Sequence, residues 1–142
     1  MRAVRPVLIG LGTTFVFVMM LQAFGGIFWP APPGFNLNDD AALMAARSAA
    51  PLLAKLYAVL TFGVAVFVGA FLACKIAGGI NTRPSWIVGI VYTAVCALYA
   101  FGSRSPLWMQ LSTVAMPLPA AWLALKAASV RQTAVPDNTK KR

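Results

Sequence analysis

Residues 56–74 read LYAVLTFGVAVFVGAFLAC, and no charged side chain interrupts them between Lys55 and Lys75. An α-helix rises about 1.5 Å per residue and needs roughly 20 apolar residues to cross about 30 Å of hydrocarbon. The stretch therefore has the length and composition of one membrane crossing. Residues 84–103 and 105–125 are also free of charged side chains. Each of these runs predicts one further crossing.

A fourth apolar run follows Arg5 and continues to about Trp29, where the proline-rich residues 30–34 end it. A cleaved signal peptide is the alternative, because Arg2 and Arg5 precede the run as in a charged n-region. The run is longer than the roughly 7–15 residues of a signal-peptide core, and residues 21–24 make a poor cleavage site. We therefore expect the segment to be retained as the first crossing.

The composition agrees with a membrane location. The chain has 142 residues, of which 60% are hydrophobic and 11% charged, and its mean hydropathy is +0.77. Soluble domains carry about 25% charged residues, so an aqueous fold is excluded. The predicted fold is all-α: a multi-pass membrane protein whose transmembrane domain, 1–128, contains four helices in two hairpins. The predicted helices cover about 7–29, 52–74, 85–102 and 107–126, with an outer loop at 30–51.

The cations predict the orientation. With both termini in the cytoplasm, the outer side holds Arg47, Lys55 and Arg104. The inner side then holds Arg2, Arg5, Lys75, Arg83, Lys126, Arg131, Lys140, Lys141 and Arg142. This is a positive-inside bias, which predicts a multi-pass protein of the cell inner membrane with cytoplasmic N and C termini. Lys55, one turn into the second helix, is expected to extend its ammonium outward. Residues 129–142 are predicted to form a disordered basic tail near anionic lipid headgroups.

The outer loop contains a second set of signals. Residues 30–34 predict a stiff, extended exit from the first helix, because proline restricts φ and the residue before it. Asp39 and Asp40 precede an alanine-rich run and predict a capped helix start with acids at its positive end. Cation binding is the less favoured alternative, because two adjacent acids supply too few calcium ligands. Pro51 either opens the second transmembrane helix or kinks a continuous one.

Side chains that perform chemistry are scarce. The only acids are Asp39, Asp40 and Asp137, and the chain has no Glu and no His. Most acid–base and metal chemistry therefore lacks its residues, and we expect no enzyme, no catalytic residues, no cofactor and no metal site. Cys74 and Cys96 lie at different depths and form no CxxC motif, so we interpret them as small buried side chains. The basic charge indicates topology, and we expect no nucleic-acid partner.

The uncharged polar residues within the predicted helices are Thr13, Thr14, Gln22, Thr61, Tyr92, Thr93, Gln110, Ser112 and Thr113. Gln22 and Gln110 lie toward the outer halves of the first and fourth helices and are the two candidate intramembrane polar positions. Packing contacts between helices are favoured over a substrate site, because such contacts are typical of membrane bundles. Pro117 and Pro119 free backbone carbonyls one turn earlier. These free carbonyls could line a small cavity. The favoured interpretation is a simple kink, in which neighbouring helices, Ser112 or Thr113 satisfy the free carbonyls.

Two stripes of small residues predict helix-packing faces. One lies on the second helix, at Ala65, Gly69, Ala73 and Ala77, and the other on the third, at Gly89, Thr93 and Ala97. Membrane helices approach closely at small residues, because burial of apolar surface contributes little between helices in lipid. The short loop at 76–84 favours pairing of the two stripes with each other within one chain. A homodimer interface is the alternative.

The proline, glycine and tryptophan placements carry a resemblance across roughly residues 25–126. The residues concerned are Trp29-Pro30-Ala31-Pro32-Pro33-Gly34, Asp39-Asp40, Ala50-Pro51, Gly69-Ala70, Ala77-Gly78, Gly89, Ser105-Pro106-Leu107-Trp108 and Leu118-Pro119-Ala120-Ala121-Trp122. This pattern resembles a group of small uncharacterised four-helix bacterial inner-membrane proteins. Members often carry a His before the proline of the third connection, where this chain has Arg104-Ser105-Pro106. The resemblance implies location and fold, and no activity.

The sequence thus predicts a non-catalytic integral membrane protein that acts as a structural, accessory or partner-binding component. The lipid bilayer is one expected partner, and another membrane protein or a second copy of the chain is the other. The alternative function is a small transporter or channel for a neutral or weakly polar solute. That alternative would use Gln22, Gln110 and the helix break at Pro117 and Pro119.

Overall fold

A computed structural model describes residues 4–30, 39–78, 82–103 and 105–133. The described part of the chain is helical, and six helices follow one another. They are α1 (Val4–Phe28), α2 (Asp40–Ala49), α3 (Leu52–Ile76), α4 (Arg83–Ser103), α5 (Leu107–Ala115) and α6 (Pro117–Thr133). The all-α prediction is confirmed.

Four segments are long and apolar enough to cross a membrane, namely α1, α3, α4 and the consecutive pair α5 and α6. The protein is therefore a multi-pass membrane protein with four spans. We call the end of the bundle where α1 finishes and α3 begins the α2 end. The opposite end, where α1 begins and α3 finishes, is called the terminal end.

The last helix is longer than the sequence predicts. It continues to Thr133, whereas the prediction ends it at about 126 and assigns 129–142 to a disordered tail. Residues 129–133 are therefore helical, and the rest of the predicted tail, 134–142, lies outside the described residues. Helical hydrogen bonding does not have to stop where a hydrophobic run stops. Lys126 stays at the helix surface, with its ammonium 3.9 Å from the centre of the Trp122 ring.

The four spans form two hairpins that share a central pair of helices. α1 packs along α3 in the first hairpin, and α4 packs against α5 and α6 in the second. α3 and α4 also pack against each other. α1 contacts both of them on one side, and α5 and α6 contact both on the other. Because α3 has neighbours on both sides, most of its small residues are buried.

The core between these helices consists mostly of small side chains. Its buried members are Val18, Ala65, Val66, Ala70, Ala73, Val88, Tyr92, Ala120, Ala121 and Ala124. The large apolar side chains, such as Phe15, Met19 and Leu98, are mostly exposed on the outside of the bundle. This distribution is expected in a bilayer, where lipid covers the large side chains and small residues allow the backbones to approach.

The glycine stripes pack within the hairpins, and this corrects the predicted pairing. A Cβ added at Gly69 would lie 2.5 Å from the carbonyl oxygen of Gly10 and also overlap Thr14, so Gly69 faces α1. A Cβ added at Gly89 would lie 2.7 Å from the Ala121 Cβ, so Gly89 faces α6. The short loop between α3 and α4 does not decide the closest approach, because each stripe serves the hairpin partner of its own helix.

Hydrogen bonds between helices reinforce both hairpins and join them. The Tyr57 hydroxyl of α3 donates to the Leu21 carbonyl of α1 over 2.6 Å, and the Tyr57 ring covers Gly25. The Ser85 hydroxyl of α4 donates to the Ala121 carbonyl of α6 over 3.1 Å. The hydroxyl of Tyr92 links the two hairpins by donating to a carbonyl of α1. Such bonds typically contribute about 0.6 kcal/mol each in a membrane bundle.

The connection between the first two spans contains α2, and Asp39 caps it. The Asp39 carboxylate accepts hydrogen bonds from the backbone N–H groups of Ala41 and Ala42, at 2.9 and 3.3 Å. The predicted helix start is confirmed. Pro51 has an extended conformation and directly precedes α3, so it opens the second span. The predicted stiff exit at 30–34 lies outside the described residues except for Pro30.

The fourth span is divided at Met116. Pro117 is the first residue of α6, a position where the missing N–H of proline costs nothing. The Met116 N–H still donates to the Ser112 carbonyl, and the Ala120 N–H donates to the Met116 carbonyl. The hydroxyls of Ser112 and Thr113 donate to carbonyls one turn earlier, at Trp108 and Met109. They therefore do not serve the carbonyls that the prolines free, as the favoured interpretation had allowed.

Candidate functional site

A cavity of about 280 Å³ lies at the α2 end of the bundle. Its lining comes from α1, α3, α4, α5 and the residues that immediately precede α3 and α5. The lining residues are Gln22, Ala50, Ala54, Lys55, Ala58, Phe62, Tyr99, Ser105, Met109 and Thr113. Small-molecule sites typically measure about 300–1,000 Å³, so the volume of this cavity lies slightly below that range. It is the strongest candidate for a functional site in the described part of the chain.

The structure separates the two glutamines that the sequence analysis selected. Gln22 lines the cavity, with its side chain exposed. Gln110 is not a lining residue, because its side-chain nitrogen donates to the Ser105 carbonyl over 2.6 Å at the start of α5. The two amides therefore do not form a joint polar site. Gln110 instead stabilises the residues that precede α5, which include Ser105.

Lys55 supplies the charge of the cavity. Its side chain is half-buried, and its ammonium donates to the Ser48 carbonyl over 2.9 Å. This carbonyl belongs to the last turn of α2, where the negative end of the helix dipole favours a cation. The ammonium thus reaches toward α2, in line with the expected outward extension. Sequence analysis did not assign Lys55 to a site, although a lone cation inside a predicted span is a recognisable signal.

The rest of the lining combines an apolar wall with hydroxyls. The rings of Phe62 and Tyr99 lie 5.8 Å apart, and this pair forms the wall between α3 and α4. The Thr113 hydroxyl donates to the Met109 carbonyl over 2.8 Å. Sequence analysis missed Tyr99, Ser105 and Thr113 as a group, because only the folded bundle brings α4 and α5 to the same side of α3.

A second depression lies beside the helix break and has a different character. It measures about 260 Å³, and all of its lining side chains are apolar. These residues are Leu60, Gly63, Val64, Phe67, Met116, Pro119, Ala120 and Leu123. The break at Pro117 and Pro119 therefore shapes an apolar groove on the bundle surface, and it does not contribute its prolines to the cavity that contains Gln22.

The seven residues of the two stripes are placed as follows. Ala65, Gly69, Ala73 and Gly89 are buried, and Ala77, Thr93 and Ala97 are half-buried. The Thr93 hydroxyl donates to the Gly89 carbonyl over 2.8 Å, within its own helix. The close contact of Gly69 and Ala73 with α1 leaves no space for a ligand at that level of the bundle. Cys74 and Cys96 are buried.

Buried polar groups in the described residues are fully used by the fold. No buried side-chain nitrogen or oxygen lacks a hydrogen-bond partner there. No group of three or more His, Cys, Asp or Glu residues comes together in the same part of the chain. The exposed lining of the cavity at the α2 end therefore contains the polar side chains that remain available for a ligand.

Comparison with known proteins identifies no relative. No family model, curated protein or solved structure matches this chain.

Proposed function

We propose that this protein is a non-catalytic component of the cell inner membrane, with a structural, accessory or partner-binding role and cytoplasmic N and C termini. The observation that carries the proposal is the complete internal use of buried polar groups in the described spans. A catalytic or transport site within the bundle would need polar side chains that the fold does not already occupy. The buried and half-buried hydroxyls of α3, α4 and α5 donate to backbone carbonyls instead.

The charge distribution supports the proposed orientation. Lys75, Arg83 and Lys126 belong to the terminal end of the bundle, whereas Lys55 belongs to the α2 end. The further cations near the chain termini lie beyond the same terminal end in sequence. A cytoplasmic terminal end therefore satisfies the positive-inside rule.

The uncovered face of α1 supports a role in association. α1 contacts α3 and α4 along one side only. Gly12 and Gly26 have open space around the position that a Cβ would take. They are therefore not required for packing within the chain. Glycine on an exposed membrane helix allows a second helix to approach closely.

The test is the composition of the complex purified in mild detergent. We expect a second membrane protein at fixed stoichiometry, measured by native mass spectrometry. Gly12→Leu and Gly26→Leu keep the intramolecular packing intact, so loss of the partner in either variant would place the interface on α1. Val64→Leu, a lipid-facing change on α3, is the matched control. Recovery of the chain alone under chemical cross-linking would contradict the partner-binding role.

The alternative is a small transporter or channel for a neutral or weakly polar solute, and one observation favours it. Gln22 lines a partly open cavity at the α2 end of the bundle. The tight contact of Gly10, Gly69 and Ala73 closes the α1–α3 interface toward the terminal end. Solute flux in proteoliposomes that is abolished by Gln22→Leu would establish the alternative and overturn the non-transporting proposal.

A further inference from the structure

The cavity at the α2 end contains an ammonium group that faces no carboxylate among the residues described. The one hydrogen bond of Lys55 there uses a single N–H donor, on the Ser48 carbonyl. Asp39, the acid whose side chain is described, caps the opposite end of α2. From Asp39 to Ser48 the helix rises about 13 Å, which is beyond direct ion pairing. Two donors of the ammonium therefore remain available beside the cavity.

Two more groups in the lining have no partner among the described side chains and backbone. They are the Gln22 amide and the Tyr99 hydroxyl. Both belong to spanning helices, where water is scarce and an unpaired donor is costly. Gln22 lies six residues before the end of α1, about 9 Å below it. The unpaired donors therefore extend from the α2 end into the bundle.

The remaining polar atoms of the lining are held by the protein. The Thr113 hydroxyl donates to Met109, and the Ser105 carbonyl accepts from Gln110. These bonds keep the α5 side of the cavity in place. The groups left for a ligand are therefore mainly donors, with one full positive charge among them. This pattern favours an anion over a cation.

The other surfaces of the cavity are apolar. Phe62 and Tyr99 present an aromatic wall, and Ala54, Ala58 and Met109 complete it. A small inorganic ion would leave this wall without contact. An anionic head attached to an apolar chain would use both parts of the cavity, because amphiphiles place their polar end at the membrane surface and their chain inside it.

We propose that the cavity binds the oxyanion head of an amphiphile, a carboxylate or a phosphate ester, and the first part of its apolar chain. The Lys55 ammonium and the Gln22 amide donate to the oxyanion, and the chain packs on Phe62 and Met109. The assignment goes beyond the non-catalytic role proposed above and does not depend on it. The head comes either from a free fatty acid or from an anionic phospholipid of the surrounding bilayer.

Binding of radiolabelled decanoate tests the proposal. The full chain is placed in nanodiscs of phosphatidylcholine, and empty nanodiscs give the background. We expect saturable binding of decanoate and at least about tenfold weaker binding of decanol and decyltrimethylammonium, which share the chain but lack the oxyanion. Equal binding of decanol would overturn the proposal, because the charge would then contribute nothing.

Variants assign the binding to this cavity. Lys55→Gln is expected to weaken decanoate binding about tenfold or more, and Lys55→Arg to retain most of it. Gln22→Leu removes no internal hydrogen bond, so its expected loss of affinity does not depend on altered folding. Lys75→Gln is the matched control, because Lys75 lies at the terminal end beside the Phe71 ring. Equal weakening by Lys55→Gln and Lys75→Gln, or no weakening by either cavity variant, would overturn the proposal.

The source of the head is distinguished in nanodiscs that also contain phosphatidylglycerol. If the natural ligand is a phospholipid, native mass spectrometry will find phosphatidylglycerol retained by the unmodified protein and lost from Lys55→Gln. Decanoate will then bind more weakly in those nanodiscs, because the lipid competes with it. If the ligand is a free fatty acid, decanoate will bind equally in both lipid compositions. Either result supports an oxyanion site.

Discussion

Gly69 shows how one residue determines the contact between two helices. Its missing side chain allows α3 to approach the Gly10 carbonyl and the Thr14 side chain of α1. Thr14 is buried, and its hydroxyl donates to the Gly10 carbonyl over 2.9 Å. The hydrogen bond of the Thr14 hydroxyl is therefore made within α1, at the carbonyl that Gly69 contacts. No larger residue fits at position 69 without separation of the helices.

Substitution of the two stripe glycines is expected to destabilise the fold. Gly69→Leu would separate α1 from α3, and Gly89→Leu would separate α4 from α6, each at a cost of about 1–3 kcal/mol or more. Val64→Leu should change stability by less than about 0.5 kcal/mol, because Val64 is 49% exposed. The measurement is thermal unfolding and oligomer size in detergent.

Equal stability of all three variants would contradict the packing described for the stripes. A folded monomer that replaces a dimer only in the glycine variants would instead place the stripes in a homodimer interface. Equal stability is not expected, because a leucine at either glycine would overlap atoms of the neighbouring helix.

At the scale of an element, the fourth span differs from the other three. It consists of α5 and α6, with Met116 between them in a helical conformation. Pro117 and Pro119 remove two backbone donors that a continuous helix would use. The bend brings Met116 and Pro119 to the edge of the apolar groove beside α3. The groove is thus a consequence of the break.

Replacement of both prolines tests that explanation. Pro117→Ala with Pro119→Ala should restore the two donors and straighten the span. Spin labels at the exposed positions Leu111 and Leu123 should then report a longer distance, because the backbone of a straight helix rises about 18 Å over 12 residues. Pro106→Ala, at the N-cap of α5, is the control and should leave the distance unchanged. An unaltered distance in the double variant would show that tertiary contacts produce the bend.

At the scale of the whole molecule, four spans place the start of α1 and the end of α6 on one side of the membrane. We propose that this side is the cytoplasm, because the cations of the terminal end then satisfy the positive-inside rule. The described part of α6 reaches Thr133, so a reporter fused after this residue still follows a continuous helix. The proposed orientation therefore does not depend on residues 134–142.

Deletion of 134–142 is expected to leave topology unchanged. In the proposed orientation, the cations that remain on the inner side are Arg2, Arg5, Lys75, Arg83, Lys126 and Arg131. A reporter enzyme that is active only in the cytoplasm should be active after Thr133 and inactive when inserted at residues 31–38. Reporter activity at residues 31–38, together with loss of reporter activity after Thr133, would contradict the proposed orientation.

The sequence alone determines the number, type and approximate bounds of the spans. Uncharged runs such as 56–74 have the length of a bilayer, and a polypeptide in hydrocarbon must satisfy its backbone within each segment, which leaves the helix as its structure. The cap at Asp39 is also local, because its carboxylate accepts from the N–H groups of Ala41 and Ala42, two and three residues later in the chain. Such features depend on neighbours in the chain, so a linear pattern reveals them.

Only the tertiary structure decides which faces meet. Gly69 and Gly89 are recognisable as packing residues, but their partners on α1 and α6 follow from the arrangement of two hairpins around α3 and α4. The cavity likewise needs Lys55, Gln22 and Tyr99 from three different helices. Small residues permit close approach to any helix, and the hydrophobic effect does not favour one pairing over another in lipid. The choice is therefore made by the fit of whole helices, which no single segment of the sequence contains.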